Sequence, residues 1–261
     1  DFIIFDQRTS SVPLTKNQMI KISNRNNIGC DQIIFINKDQ SNDAFLKFYN
    51  SDGGETSACG NGSRCVAYLL MKENKSKKIS LRTQTVTLYA ELNDENLVKI
   101  NMGQPNFRWD KIPLSKKMNY KNLQIEITSI ERKKIIGGFA LSVGNPHLIF
   151  FVKDLDKFSI KEIGPKMEKH MYFPEKCNVT LASIENKKNI KVKVWERGAG
   201  LTKACGTAAC ATAVSAAILK LSDRCVNIEF PQGLLNIDWQ SNDNIYMTGK
   251  VSEIKKIIVN I

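Results

Sequence analysis

Two distant stretches of this 261-residue chain begin almost alike, Ala58-Cys59-Gly60-Asn61-Gly62 and Ala204-Cys205-Gly206-Thr207-Ala208. Each sets a cysteine before a glycine-bearing turn and then becomes apolar. The second runs on through Ala209, Cys210, Ala211, Ala213, Val214, Ala216, Ala217, Ile218 and Leu219. A helix apolar around most of its circumference has to be buried on nearly every side. The first, through Cys65, Val66, Ala67, Leu69 and Leu70, is shorter but similar.

Strands supply the shell that such helices need. Phe45–Tyr49, Thr85–Tyr89, Leu97–Met102 and Ile190–Trp195 alternate with period two, as half-buried antiparallel strands do. Asn93-Asp94-Glu95-Asn96 and Pro231-Gln232-Gly233 read as turns. Thr15 is an expected N-cap for a helix over Lys16–Ser23, with Leu14 in the staple position. The expected fold is α+β, with two pseudo-symmetric domains, each a mostly antiparallel, barrel-like sheet wrapped around a buried central helix. The expected boundaries are 1–104 and 105–250, with 251–261 returning to the first domain.

Composition narrows the function classes. Apolar residues make up 42% and charged residues 25% of the chain, as in a globular protein rather than a disordered or collagen-like one. The longest weakly polar run, Ala204–Leu219, contains Thr and Ser and is too short to span a bilayer, so no membrane partner is expected. The net charge of +12 raises nucleic acid as a partner. However, the basic residues are scattered among Asn, Glu and Asp in short clusters such as Lys75–Lys78 and Arg132–Lys134, so they read as solvated surface and no nucleic acid is expected. Seven cysteines, an odd number in a chain long enough to need no staples, point to a reducing compartment and a cytoplasmic location. Their spacings are not those of a zinc site, and no metal is expected. The opening Asp1-Phe2-Ile3-Ile4-Phe5-Asp6 has no basic, signal-like start and no Met, which reads as a chain whose true N-terminus precedes it.

A cysteine at the head of a buried helix sits among unpaired N–H groups at the positive end of the helix dipole. Those groups stabilise a thiolate and bind a carboxylate. Two such sites acting together could invert a carbon centre. One thiolate would remove a proton from one face and the other thiol would deliver a proton to the opposite face, with the N–H donors spreading the carbanion charge. No cofactor is required. A lone cysteine at a tight turn is more often a small core residue; the duplicated context favours chemistry here. Cys65 and Cys210, further along the same helices, are assigned to packing.

The motifs Asn50-Ser51-Asp52-Gly53-Gly54 with Cys59-Gly60-Asn61-Gly62-Ser63-Arg64-Cys65, and Glu196-Arg197-Gly198-Ala199-Gly200 with Cys205-Gly206-Thr207, resemble those of the diaminopimelate epimerase family. Gly29-Cys30-Asp31-Gln32, Asn101–Phe107, Gly144-Asn145-Pro146-His147, Asn178 and Tyr246-Met247-Thr248-Gly249 extend the resemblance nearly end to end. It implies a PLP-independent epimerase interconverting LL- and meso-2,6-diaminoheptanedioate in lysine and peptidoglycan-precursor synthesis. Cys59 and Cys205 would be its acid/base pair. The N–H groups of Gly60, Asn61, Gly206 and Thr207 would hold the reacting carboxylate. Glu196 and Arg197, with Gln32, Asn50, Asn145 and Asn178, would line the site and read the ammonium and distal amino-acid groups. His147 would support it, and Tyr246 would lie at a homodimer interface.

The chain departs from the family pattern in three places. The Gly-Asn that would precede Asp1-Phe2, with its substrate-contacting Asn, is not in the sequence; Leu201 stands where Glu is usual; Ala208 stands where Gly is common. The alternative enzyme is a proline or hydroxyproline racemase, which shares the two-cysteine logic but has a substrate without the distal amino-acid group. A thiol-disulfide redox protein is the alternative of a different class.

Overall fold

The computed structural model describes residues 1–11, 13–56, 59–252 and 254–259. Ala58 of the first repeat and Glu253, Asn260 and Ile261 of the returning tail lie outside them. The chain divides into two compact units, Asp1–Asn101 with Gly249–Ile261, and Met102–Thr248.

In the first unit β1 (Phe2–Asp6), α1 (Lys16–Ser23), β2 (Gln32–Asn37), β3 (Ala44–Asn50), β4 (Glu55–Thr56), α2 (Gly60–Glu73), β5 (Lys78–Arg82), β6 (Thr87–Asp94) and β7 (Leu97–Asn101) follow in order. The sheet order is β1-β2-β3-β5-β6-β7, with β4 beside β3. The second unit adds a hairpin, β8 (Ile125–Thr128) with β9 (Lys134–Gly137), and β10 (Phe139–Ser142). It then repeats the plan with β11 (Pro146–Phe151), α3 (Ile160–Glu168), β12 (Asn178–Asn186), β13 (Asn189–Glu196), β14 (Gly200–Thr202), α4 (Gly206–Ile218), β15 (Cys225–Phe230), β16 (Gly233–Trp239) and β17 (Ile245–Lys250).

The pairings match step for step. β1 runs parallel to β2 as β11 does to β12. β2, β3 and β4 pair antiparallel, as do β12, β13 and β14. β3 lies parallel to β5 as β13 does to β15, and the remaining neighbours are antiparallel. The alternating stretches around Phe45 and Ile190 therefore differ from the purely antiparallel strands expected of them. A helix intervenes between the partners of each parallel pair, and a parallel partner requires such a crossover. The stretch at Thr85 also differs, because Thr83 N–H and its hydroxyl both donate to Val86 O, at 2.8 and 3.0 Å, and tie Thr85 and Val86 into the β5–β6 turn.

The helices are placed by local chemistry. Thr15 caps α1 in a reciprocal box with Gln18, and Leu14 packs on the cluster that contains Met19. α2 packs against β2, β5, β6 and β7. It buries Val66, Ala67, Leu70 and Met71, while the strands bury Ile79, Leu81, Leu88, Ala90, Val98 and Ile100 at alternate positions. Every residue of α4 from Ala208 to Ala216 is buried, and the strands β10, β11, β12, β15 and β16 pack on it. Each large apolar side chain buried this way contributes about 1.5–3 kcal/mol.

Where α3 lies against β13, a Cβ on Gly164 would run into Cγ of the Trp195 ring. Gly164→Ala is therefore expected to cost about 1–3 kcal/mol of stability, read from urea denaturation. An unchanged midpoint would mean that α3 moves off Trp195 freely.

Candidate active site

Cys59 and Cys205 occupy the same position in their units. Cys59 is the N-cap of α2 with φ −144° and ψ 108°, and Cys205 is the N-cap of α4 with φ −141° and ψ 114°. Gly60 and Asn61, and likewise Gly206 and Thr207, form the first two positions of the helices that follow. There the backbone N–H groups have no intrahelical acceptor and point out of the helix end. A Cβ on Gly62 would meet Ile34 Cδ1 at 2.7 Å and Cys59 Sγ at 3.4 Å, so a glycine there lets the first turn of α2 close on the core.

The surroundings of the two thiols differ. Gly62 N–H donates to Cys59 Sγ at 3.3 Å, and Cys59 is half-buried. In the same unit, Gln32 Nε2 donates to Asn50 Oδ1 at 2.9 Å across the β2–β3 pair. Cys205 is buried, with Thr207 Oγ1 3.5 Å from its sulfur. Burial, and then the carboxylate of Glu196 at the end of β13, push its thiol well above the usual range.

Behind Cys205 runs a chain of side chains. Asn145 Nδ2 donates to Thr207 Oγ1 at 3.4 Å, and Asn145 Oδ1 lies 2.8 Å from His147 Nε2. Because Asn145 spends its N–H on Thr207, His147 must carry its proton on Nε2. His147 is fully buried, its Nδ1 has no hydrogen-bond partner among the described residues, and burial followed by the charge of Arg197 lowers its pKa to about 3. The ring is thus a neutral donor that orients Asn145. Its resonances should not titrate between about pH 5 and 9, which NMR of the labelled ring would check. The unfolded ring, with its ordinary pKa of 6.5, takes up a proton that the folded ring refuses. The stability contributed is full above the unfolded value and is lost as pH falls through that value toward the folded one.

Asn178 is buried at the start of β12, where its Nδ2 donates to Pro146 O at 3.0 Å and its Oδ1 accepts Arg197 N–H at 3.0 Å. It thereby ties the strand carrying His147 to the Glu196-Arg197 turn. Arg197 Nη1 donates to Glu175 O at 3.1 Å, and Arg197 and Asn145 line a cavity of about 260 Å³ with Ser142, Pro146 and Glu175. The same turn is braced from behind. Buried Glu168 accepts Trp195 Nε1–H at 2.7 Å and Gly198 N–H at 3.1 Å. Glu168 and Trp195 are supports that sequence reasoning passed over, because neither sits in a recognisable motif.

The residues expected in the site are divided between the units, Gln32, Asn50, Cys59, Gly60 and Asn61 in the first, and Asn145, His147, Asn178, Glu196, Arg197, Cys205, Gly206 and Thr207 in the second. Tyr246 lies on β17, half-buried.

The profile of the diaminopimelate epimerase family matches residues 1–108 and 139–254. This chain belongs to the diaminopimelate epimerase family. The stretch between the matched segments contains the β8–β9 hairpin. Among its relatives, the diaminopimelate epimerase of Pelagibacter ubique is 52% identical over 261 residues, covering 100% of this chain and 95% of that protein. That of the Wolbachia of Brugia malayi is 40% identical over 255 residues, covering 96% and 93%. Solved structures share the fold at low identity. A hydroxyproline epimerase from Agrobacterium vitis with bound trans-4-hydroxy-L-proline superposes with a TM-score of 0.63 at 12% identity, covering 90% of this chain and 76% of that one. A phenazine biosynthesis protein of the PhzF family from Bacillus anthracis does so with 0.63 at 16% identity, covering 94% and 90%.

Proposed function

We propose that this epimerase-family chain interconverts LL- and meso-2,6-diaminoheptanedioate without a cofactor, using Cys59 and Cys205 as its acid/base pair. The observation that carries the reading is the duplicated N-cap cysteine, with nearly the same backbone angles at the head of a buried helix in each unit of the chain. A thiolate takes the α-proton from one face, the other thiol gives its proton to the opposite face, and the two cysteines exchange protonation states in the process. The N–H groups of Gly60, Asn61, Gly206 and Thr207 suit the carboxylate, whose oxygens gather negative charge as the α-proton leaves. Arg197 and Asn145, which share a cavity, suit the polar groups of the substrate.

The test is NMR of LL-diaminopimelate in D2O with the reduced protein. Deuterium incorporation at the α-carbon together with appearance of the meso isomer is the expected result. Turnover of proline or hydroxyproline instead would move the chain to the racemases that share its fold. Substrate-independent thiol exchange would make it a redox protein.

Family resemblance also supports a homodimer with Tyr246 at its interface, measurable by sedimentation of the wild type and Tyr246→Ala. An odd number of cysteines, seven in a chain long enough to need no staples, supports work in a reducing cytoplasm. Among the described residues no helix is long and apolar enough to cross a membrane.

A further inference from the structure

α3 buries Ile160, Ile163, Gly164 and Glu168. Positions i, i+3, i+4 and i+8 share one face of a helix, so a carboxylate stands on the stripe that packs against β13. Glu168 is 6% exposed, and among the described residues it makes no ion pair with a Lys or Arg side chain. Burying a carboxylate is costly unless its oxygens are hydrogen-bonded. Both oxygens here are spent on one short piece of chain: Oε2 accepts Trp195 Nε1–H at 2.7 Å, and Oε1 accepts Gly198 N–H at 3.1 Å. Two donors thus meet two acceptors. A carboxamide of the same shape has a single oxygen, so it would accept one N–H and set its own NH2 against the other.

The chain that Glu168 holds is the turn Glu196–Ala199. Ala199 N–H closes it onto Glu196 O at 3.2 Å, and Gly198 has φ 76°, in the left-handed region that favours glycine. Its two central N–H groups both go to buried side chains, Arg197 N–H to Asn178 Oδ1 at 3.0 Å and Gly198 N–H to Glu168. These groups belong to the peptide planes on either side of the Arg197 Cα. Because a peptide unit is planar, fixing both planes sets φ and ψ of Arg197, and with them the direction in which its side chain leaves the turn. Farther out, Arg197 Nη1 donates to Glu175 O at 3.1 Å, and both residues line the cavity that Asn145 also lines.

Glu168 is itself anchored. Cys177 N–H donates to its carbonyl at 3.1 Å, which ties the end of α3 to the start of β12. Gly164, one turn earlier on the same face, lies against the Trp195 ring.

We infer that Glu168 is a positioning residue for substrate recognition: acting through Gly198 and Trp195, its carboxylate fixes the backbone of Arg197 and so directs the guanidinium to the cavity that it lines. The inference rests on the proposed function for its catalytic meaning, since Arg197 is there matched to the polar groups of the substrate. Asn178 holds the peptide plane before Arg197, and Glu168 holds the one after it.

The test combines NMR of the substrate-free protein with epimerisation kinetics, in wild type, Glu168→Gln, Arg197→Ala and the double variant. In wild type the Trp195 indole proton should be protected from solvent exchange relative to that of exposed Trp109. In Glu168→Gln the Gly198 amide and Trp195 indole resonances should both move, because one of the two donors loses its acceptor. KM for diaminopimelate should rise about tenfold, as expected for one orphaned buried donor, while kcat changes less, as for a lost binding contact. In the Arg197→Ala background the same substitution should leave KM within about twofold, because its effect passes through Arg197. A wild-type Trp195 indole proton exchanging as fast as that of Trp109 would overturn the inference even if Glu168→Gln failed to fold. So would a folded Glu168→Gln protein with the wild-type KM, whatever its melting temperature, or a KM effect of the same size with and without Arg197. Absence of epimerisation by the wild type, with a protected indole proton and resonances that move in Glu168→Gln, would count against the proposed function and leave Glu168 as the brace of the Arg197 turn.

Discussion

Replacing Cys59 or Cys205 with alanine is expected to lower kcat/KM for diaminopimelate epimerisation by about 10³-fold or more, since a positioned acid or base contributes roughly 10² to 10⁴. Two groups on opposite faces cannot substitute for one another. Serine separates this loss from any damage to the fold. Serine is a preferred N-cap, and at position 59 its oxygen can accept the Gly62 N–H that the sulfur now accepts at 3.3 Å. Cys59→Ser should therefore melt at or above the wild-type temperature and still be nearly inactive. Cys205→Ser should behave the same way in activity, because the alcohol is far too weak an acid to replace a thiol already held in its neutral form by burial and Glu196. Either serine variant epimerising at the wild-type rate would rule out a two-thiol mechanism.

The second large effect is expected at Asn145. Its amide joins buried His147 to Thr207, and Thr207 lies against Cys205. Asn145→Ala would leave His147 Nε2 without its acceptor, in addition to an Nδ1 that already lacks a partner. The cost is about 1–3 kcal/mol of stability. It would also release Thr207 from its orientation, for which a drop in kcat/KM on the order of 100-fold is expected, as for a misplaced catalytic group. Asn145→Asp distinguishes the two roles. A carboxylate still accepts from His147 but cannot donate to Thr207, and it adds a negative charge on the Cys205 side of the fold. That variant should recover stability without recovering activity. Full activity in Asn145→Ala would remove the His147–Asn145–Thr207 chain from the mechanism.

These expectations show which parts of the molecule could be read without coordinates. The heads of α2 and α4 were legible because their signals are local: a cysteine that can cap, a glycine-bearing turn and an apolar run that has to be enclosed all lie within a few residues. Thr15 with Gln18 was legible for the same reason. The strand alternation around Phe45, Leu97 and Ile190 was equally plain, since a pleated half-buried surface imposes period two wherever it occurs. The motifs carried the family, and with it a list of residues.

Other properties depend on residues distant in sequence. Strand direction is one: β3 and β13 each have antiparallel neighbours and a parallel one, and period two is the same in both. The character of the polar residues is another. The motifs make Asn178 a residue that lines the site; only the fold buries it and sets it between Pro146 and Arg197. His147 could be charged or neutral on paper, and only enclosure by β10, β12 and the core makes the imidazolium too costly. The sequence by itself determined two equivalent cysteines at two equivalent helix starts. Only the tertiary structure made their surroundings unequal, because the free energy of a thiolate depends on which charges and how little water surround it, and Cys205 is buried with Glu196 raising its thiol while Cys59 is half-buried.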